Sequence, residues 1–458
     1  MIIDSLYSIS PVEGRYENLT QEVKEYFNEY NLIKYRVIVE IKWLEKLLEY
    51  EEKLKIPYDK KDIEILEQII KEFDAEQAIR VKEIEEKTKH DVKAVEYFLR
   101  EKFQEKGLEK YNHWIHFACT SEDINNIAYG IMIKNLVNKN FIINADKLIS
   151  NIQEKANEYI DTPMLSHTHG QSATPTTVGK ELALFAFRLN KLARKIEKEK
   201  IIAKFNGTVG NFNTHVIAYP DIDWIKISKE FVESFDLDYN LYTTQIETHD
   251  NICMIFSEMK LFNNILLDFN NDMWMYISRN YFLQNNVKGE VGSSVMPHKI
   301  NPINFENSMA NIRIANGILT SFIDNLEISR MQRDLSDSSM LRNIGLAIAY
   351  MLISIKQSMI GINKLKANTE VLEQELNNNP EVLSEAIQTI LKKNGYQDAY
   401  EILKELTRGK KVTNKEMKDF ISKLDIDAKD KERLLNLESR DYIGLAPEIV
   451  RKINNELK

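Results

Sequence analysis

Residues 255–276, IFSEMKLFNNILLDFNNDMWMY, decide the fold. Ile255, Met259, Phe262, Leu266, Phe269, Met273 and Tyr276 recur at spacings of four and three, the seam of a helix packed along its length. Met254, Leu261, Ile265 and Trp274 widen that apolar surface beyond what one partner helix covers, so the helix belongs inside a bundle or an oligomer. No glycine or proline falls between Pro220 and Gly289, nor between Pro57 and Gly107. Because these two residues punctuate local structure, such gaps leave room for helices well beyond the usual length of about 11–12 residues. With 15 glycines and 9 prolines in 458 residues and 43% hydrophobic content, the chain is expected to be ordered and all-α.

Working outward, Asn125 to Glu158 reads as a second long helix, followed by Pro163, Gly170 and Pro175 around His167 and His169. Helical periodicity resumes from Glu181 to Phe205. The breakers from Gly289 to Pro302 join the seam helix to a long apolar-periodic segment running from Ile303 toward Lys366. After Asn378-Asn379-Pro380 the pattern shortens and becomes charge-rich, with Gly395 and Gly409 as stops. Three helical domains are expected: an N-terminal one over 1–111, a central long-helix bundle over 112–365 and a C-terminal cap over 366–458.

Composition excludes several classes of function. Sixty-one basic against 70 acidic residues leave a net charge of −9, which gives no cationic excess to track a phosphodiester backbone. Cys119 and Cys253 cannot form a disulfide framework and match no metal-ligand spacing, so no metal is expected and a reducing, cytoplasmic setting is. Met1 to Ile9 lacks the basic and apolar regions of a signal peptide. The nearly apolar run Ile344 to Ile355 is shorter than the roughly 20 residues a bilayer requires, and reads as a buried core helix.

Three segments carry chemistry. Gly292-Ser293-Ser294-Val295-Met296-Pro297-His298-Lys299-Ile300-Asn301-Pro302 could be an ordinary interhelical loop, but that leaves Met296, Lys299 and Asn301 unexplained. A loop that closes over an anionic substrate accounts for the lysine, the amide and the hydroxyls together. Ser166-His167-Thr168-His169-Gly170-Gln171 places two histidines in a turn, where a structural role is the commoner one, although imidazole suits proton transfer near neutral pH. Thr120-Ser121-Glu122-Asp123 is a helix-capping signal, and the same helix start can receive an anion.

Taken in order, TSED, THGQ-ATP and GSSVMPHKINP resemble the fumarase/aspartase superfamily, whose members eliminate or add across a C–N or C–O bond of fumarate derivatives. Ser10 to Tyr16, Lys89 to Tyr97 and Leu406-Thr407-Arg408-Gly409-Lys410 resemble its adenylosuccinate lyase family, and the likeness covers nearly the whole chain. The resemblance implies β-elimination of fumarate from adenylosuccinate and from the purine intermediate SAICAR. It further implies a homotetramer with a core of helix bundles, active sites shared between subunits, and no cofactor.

By position, the resemblance makes Ser293 the general base, His169 the general acid and Glu306 the carboxylate that orients the histidine. Thr120, Ser121, Lys299 and Asn301 correspond to contacts with the succinyl carboxylates, and Gln245 to another substrate contact. Lys89, His90 and Asp91 correspond to further substrate contacts, and Arg15, Tyr16, Arg333, Ser338 and Arg342 to the nucleotide end, where guanidinium groups suit phosphate. Ser172 stands where the family usually has proline, and is expected to loosen the turn holding His169. A superfamily lyase with another leaving group, such as argininosuccinate lyase or fumarase, a carboxymuconate cycloisomerase, and a non-catalytic helical scaffold are the alternatives. Arg15-Tyr16 and His90-Asp91 argue against another leaving group, and retention of His169 and Ser293 argues against the scaffold.

Overall fold

A computed structural model of the chain describes residues 6–285, 296, 298–407 and 412–457. In chain order the principal elements are α1 (Glu17–Lys24), α2 (Glu29–Leu48), α3 (Lys60–Glu72), α4 (Ala75–Thr88), α5 (Asp91–Lys106), α6 (Ser121–Leu136) and α7 (Ile142–Glu158). The hairpin β1 (Pro163–Thr168) and β2 (Gln171–Thr177) leads into α8 (Val178–Lys198), β3 (Ile202–Ala203), α9 (Trp224–Glu233) and β4 (Asp238–Tyr239). Then follow α10 (Asp250–Ser278), β5 (Phe282–Gln284), α11 (Ile303–Asn325), α12 (Ile344–Lys364), β6 (Leu365–Ala367) and α13 (Thr369–Asn377). Among the described residues, the short α-helices Ser384–Lys393, Ala399–Thr407, Asn414–Ser422, Ala428–Asn436 and Ala446–Glu456 follow. The fold is all-α in class, and among the described residues strand is confined to three two-stranded ribbons.

The seam lies where its spacing puts it. Ile255, Met259, Phe262, Leu266, Phe269 and Met273 on α10 are buried, and Tyr276 is half-buried. Of the apolar residues beyond the seam, Ile265 is buried, while Met254, Leu261 and Trp274 keep 57%, 49% and 41% of their surface exposed, which leaves an apolar face uncovered in the single chain. The second long helix forms as α6 and α7 joined without a break by a π turn over Val137–Phe141. Helix α12 is a core helix: the stretch from Ser336 to Lys364 is long and apolar enough to span a bilayer, but 72% of its apolar window is buried.

Two expectations are corrected. The turn around His167 and His169 is a β-hairpin, with Thr168 opposite Gln171 and a two-residue turn at His169 (φ 54°) and Gly170 (φ 73°). Positive φ at both turn residues gives the twist that antiparallel strands require. The apolar segment from Ile303 toward Lys366 is also not continuous, because α11 ends at Asn325 and α12 begins only at Ile344. Neither glycine nor proline breaks it. Instead Asp334 accepts hydrogen bonds from the amides of Ser336 (2.9 Å) and Arg330 (3.1 Å), a side chain replacing helical backbone bonds.

The chain forms two compact units. The first comprises Met1–Asn144, Leu192–Asn263 and Asn311–Ile353; the second comprises Ala145–Lys191, Asn264–Ala310 and Ser354–Lys458. In the second, the terminal helices enclose a small core of their own, including Ile387, Leu391, Leu403, Met417, Ile421 and Leu434.

Candidate active site

The first unit contains Arg15, Tyr16, Lys89, His90, Asp91, Thr120, Ser121, Gln245, Arg333, Ser338 and Arg342; the second contains His169, Lys299, Asn301 and Glu306. Ser293, with Gly292, Ser294, Val295 and Pro297, and the Arg408-Gly409-Lys410 segment lie outside the described residues.

In the first unit a continuous polar chain ties the helices together. The Asp91 carboxylate accepts from Arg342 Nη2 at 3.2 Å and from Arg36 Nη2 at 2.6 Å. Buried Arg36 donates through Nε to Asn125 (2.8 Å), and Asn125 donates in turn to Glu122 (2.8 Å). Glu122 meets Arg333 Nη1 at 3.1 Å, and Arg333 lies 3.8 Å from Asp337. Asp337 is 3.4 Å from His249 Nε2, whose backbone amide donates to Glu247 at 2.7 Å. Burial alone would raise the Asp91 carboxyl, yet Arg36, the Val92 amide and Arg342 together hold it below the usual range. Arg342 also pairs with Glu29 at 2.6 Å, so Arg333 and Arg342, two of the three arginines at the expected nucleotide end, are held by carboxylates.

The remaining positions sit at element ends. His90 is the N-cap of α5, its Nδ1 accepting from the Lys93 amide at 3.2 Å, and Lys89 (φ 55°) ends α4. Arg15 is exposed and lies over the Tyr16 ring at 5.9 Å, in the turn where the Tyr16 amide donates to the Pro11 carbonyl. Ser338 lies in the one-and-a-half-turn helix Ser336–Leu341, its amide donating to Asp337.

Thr120 caps α6, and its amide donates to Asp123 at 2.8 Å. Asp123 also accepts from Lys204 Nζ (2.9 Å) and from the amides of Asn206 (3.0 Å) and Gly207 (3.1 Å). One buried carboxylate thus anchors both the helix start at Ser121 and the loop after β3. Gln245 joins that loop through a 3.0 Å bond from Nε2 to the Thr208 carbonyl, and its amide donates to Gln332, the neighbour of Arg333. His116, given no role from sequence, is the most perturbed imidazole upward: burial opposes its charge, but Glu40, 2.6 Å from Nδ1, outweighs burial and lifts the pKa to about 9.

In the second unit, His169 stands exposed at the hairpin tip and makes no hydrogen bond among the described residues. Lys299 is exposed, its amide donating to Met296, and the Asn301 carbonyl accepts from Ile303 as α11 begins. Glu306, in the first turn of α11, accepts from the Trp274 indole at 3.1 Å, so within this chain its partner is Trp274 and not His169. Sequence reasoning missed Arg36, Glu40, Asn125, Lys204, His249 and Asp337. Arg36 and Asn125 are 89 residues apart and His249 and Asp337 are 88 apart, so no local spacing signals either contact.

Residues 14–315 match a family described as Lyase, and residues 329–443 match one described as Adenylosuccinate lyase C-terminal. The adenylosuccinate lyase of Buchnera aphidicola subsp. Acyrthosiphon pisum is 48% identical over 455 residues, covering 99% of this chain and 100% of that protein. Those of Haemophilus influenzae and Escherichia coli are 46% and 45% identical, each covering 99% of this chain and 100% of the relative. Among solved structures, a 3-carboxy-cis,cis-muconate lactonizing enzyme from Pseudomonas putida superposes with a TM-score of 0.74 at 16% identity, covering 95% of this chain and 97% of that one. A fumarate lyase from a Mesorhizobium species does so with 0.75 at 16% identity and the same coverage, and both share the fold. With identity of this size running from end to end and both family segments present in order, the chain belongs to the adenylosuccinate lyase family.

Proposed function

We propose that this chain eliminates fumarate from adenylosuccinate, leaving AMP, and from SAICAR, leaving AICAR, in purine nucleotide biosynthesis. The observation that carries the reading is the polar chain linking Arg342, Asp91 and Arg333, built on a sequence matched end to end by relatives named for the first reaction.

The chemistry needs three things. A C–H bond beside a carboxylate is weakly acidic, so a base must take the proton, donors must hold the charge that develops, and an acid must protonate the departing nitrogen. Ser293 is the proposed base, with Lys299, backbone amides and exclusion of water proposed to activate its hydroxyl; His169 is the proposed acid. Glu306 would orient His169, and since it pairs with Trp274 in its own chain, that contact is proposed to form between subunits. Thr120, Ser121, Lys299 and Asn301 are assigned to the succinyl carboxylates, and Gln245 to another substrate contact. Lys89, His90 and Asp91 are assigned to further substrate contacts, and Arg15, Tyr16, Arg333, Ser338 and Arg342 to the nucleotide.

A homotetramer with shared active sites is proposed, supported by the uncovered apolar face at Met254, Leu261 and Trp274. The proposal includes a cytoplasmic setting, small molecules as the substrates, no cofactor and no nucleic-acid or membrane partner. Its domains are 1–111, 112–365 and 366–458. The test is fumarate release by the purified protein from adenylosuccinate and, separately, from argininosuccinate. Release from adenylosuccinate alone, slowed about 10²- to 10⁴-fold by His169→Ala, supports the reading, and release from neither by an intact oligomer overturns it.

A further inference from the structure

His167 and Ser172 face each other across the hairpin, one pair below the turn that presents His169. On the β1 side, His167 Nε2 lies 2.7 Å from Arg279 Nη1, just past the end of α10. A guanidinium can only donate, so Nε2 is the acceptor and the imidazole is neutral, with its proton on Nδ1. Burial and the Arg279 charge both act in the same direction, lowering the His167 pKa. His167 is therefore held as an acceptor and has no proton to give at Nε2.

The guanidinium of Arg279 also lies 3.8 Å from the carboxylate of Glu375 on α13. The backbone carbonyl of Glu375 accepts from Asn379 Nδ2 at 2.7 Å, and Asn379 Oδ1 accepts from the Ser172 hydroxyl at 3.1 Å. The cross-strand pairing of Ser172 with His167 closes the circuit. Two strands, the end of α10 and the end of α13 are thereby joined in one polar ring at the base of the turn. A second tie lies further along β2, where the Thr174 hydroxyl donates to Glu385, which also accepts from the Tyr442 hydroxyl at 3.3 Å. Serine in place of proline does not leave this strand loose: it supplies the hydroxyl by which the strand is fastened to Asn379.

We propose that His167, Arg279, Glu375, Asn379 and Ser172 form a positioning ring that fixes the hairpin tip and so aims His169 at the departing nitrogen. The inference rests on the reading of His169 as the general acid. None of the five touches the reacting atoms; each acts through the direction of the turn. Misdirecting an acid by a fraction of an ångström lowers the rate of the chemical step while leaving substrate affinity largely intact.

The experiment is steady-state and single-turnover kinetics on adenylosuccinate for Arg279→Met and Ser172→Ala, each also made in a His169→Ala background, with oligomeric state and Tm measured alongside. The expected result is a drop in kcat of about tenfold or more with KM changed less than about twofold. Ser172→Thr should recover the loss seen in Ser172→Ala, and neither ring substitution should slow His169→Ala further. Ser172→Ala removes one exposed hydroxyl and carries the test if Arg279→Met loses the fold. Wild-type kcat in the single variants, or the same proportional loss in the His169→Ala background, would overturn the ring while leaving His169 as the acid. Full turnover by His169→Ala would overturn the acid reading and the ring with it.

Discussion

The Lys204 ammonium and the Asp123 carboxylate lie 2.9 Å apart, and neither side chain has any exposure to solvent. Each charge is also satisfied by neighbours: Lys204 donates to the Gly207 carbonyl at 3.0 Å, and Asp123 accepts the amides of Thr120, Asn206 and Gly207. Removing one partner strands the other charge in a medium that cannot solvate it. Lys204→Met should therefore destabilise the protein by about 3–5 kcal/mol, and Lys204→Met combined with Asp123→Asn by less than either change alone. Denaturant unfolding of the three variants checks this, and simple additivity would contradict it.

A pH dependence follows from Glu40 and His116. The folded imidazole titrates near 9 against an ordinary value of 6.5, because Glu40 outweighs burial. The folded state thus holds this proton more tightly than the unfolded chain. The stabilisation is complete below about pH 6.5 and is lost as pH rises through about 9, to an extent on the order of 2–3 kcal/mol. Thermal melts of the wild type from pH 6 to 10 should show the decline, and Glu40→Gln should flatten it. A decline of equal size in both proteins would assign it to other groups.

Arg342 is held by Glu29 and Asp91 at 2.6 and 3.2 Å, which fixes a guanidinium where the nucleotide phosphate is proposed to sit. Arg342→Ala should raise KM for adenylosuccinate by about 10- to 100-fold and change kcat by less than about threefold, since the contact is the same in ground and transition states. Initial-rate kinetics separate the two constants. A fall in kcat at unchanged KM would move Arg342 from binding to chemistry.

Gly210 has φ +81°, and a β-carbon added there would stand 2.3 Å from the Thr243 carbonyl oxygen, two residues before Gln245. Gly210→Ala is expected to cost about 2–4 kcal/mol from overpacking and left-handed backbone together. Gly317→Ala, where an added β-carbon meets nothing within 4 Å, should be neutral or stabilising by up to about 1 kcal/mol. Denaturation midpoints of the pair decide the matter, and equal midpoints would contradict the steric argument.

What could be read in the sequence is what short-range pattern encodes. The α10 seam shows in its spacing, and the capping of α6 by Thr120 shows in the four letters TSED. The hairpin at His169 was hidden because its turn is His-Gly and not one of the commoner turn pairs, and the interruption after Asn325 was hidden because Asp334, not glycine or proline, makes it. The polar chain from Arg342 to Glu247 was hidden for a different reason. Its members converge from segments distant in sequence, and a buried arginine such as Arg36 is indistinguishable from a surface one until its partners are known.

The turn that presents His169 carries one further implication. Its backbone angle of φ 54° is one that asparagine adopts almost as readily as any residue except glycine, and the side chain itself is bonded to nothing in the described chain. Asparagine is one base change from histidine in the genetic code. A lineage could therefore lose the proposed proton donor in a single step while keeping the hairpin and the helices, so that inheritance of this shape is no guarantee of inheritance of the reaction.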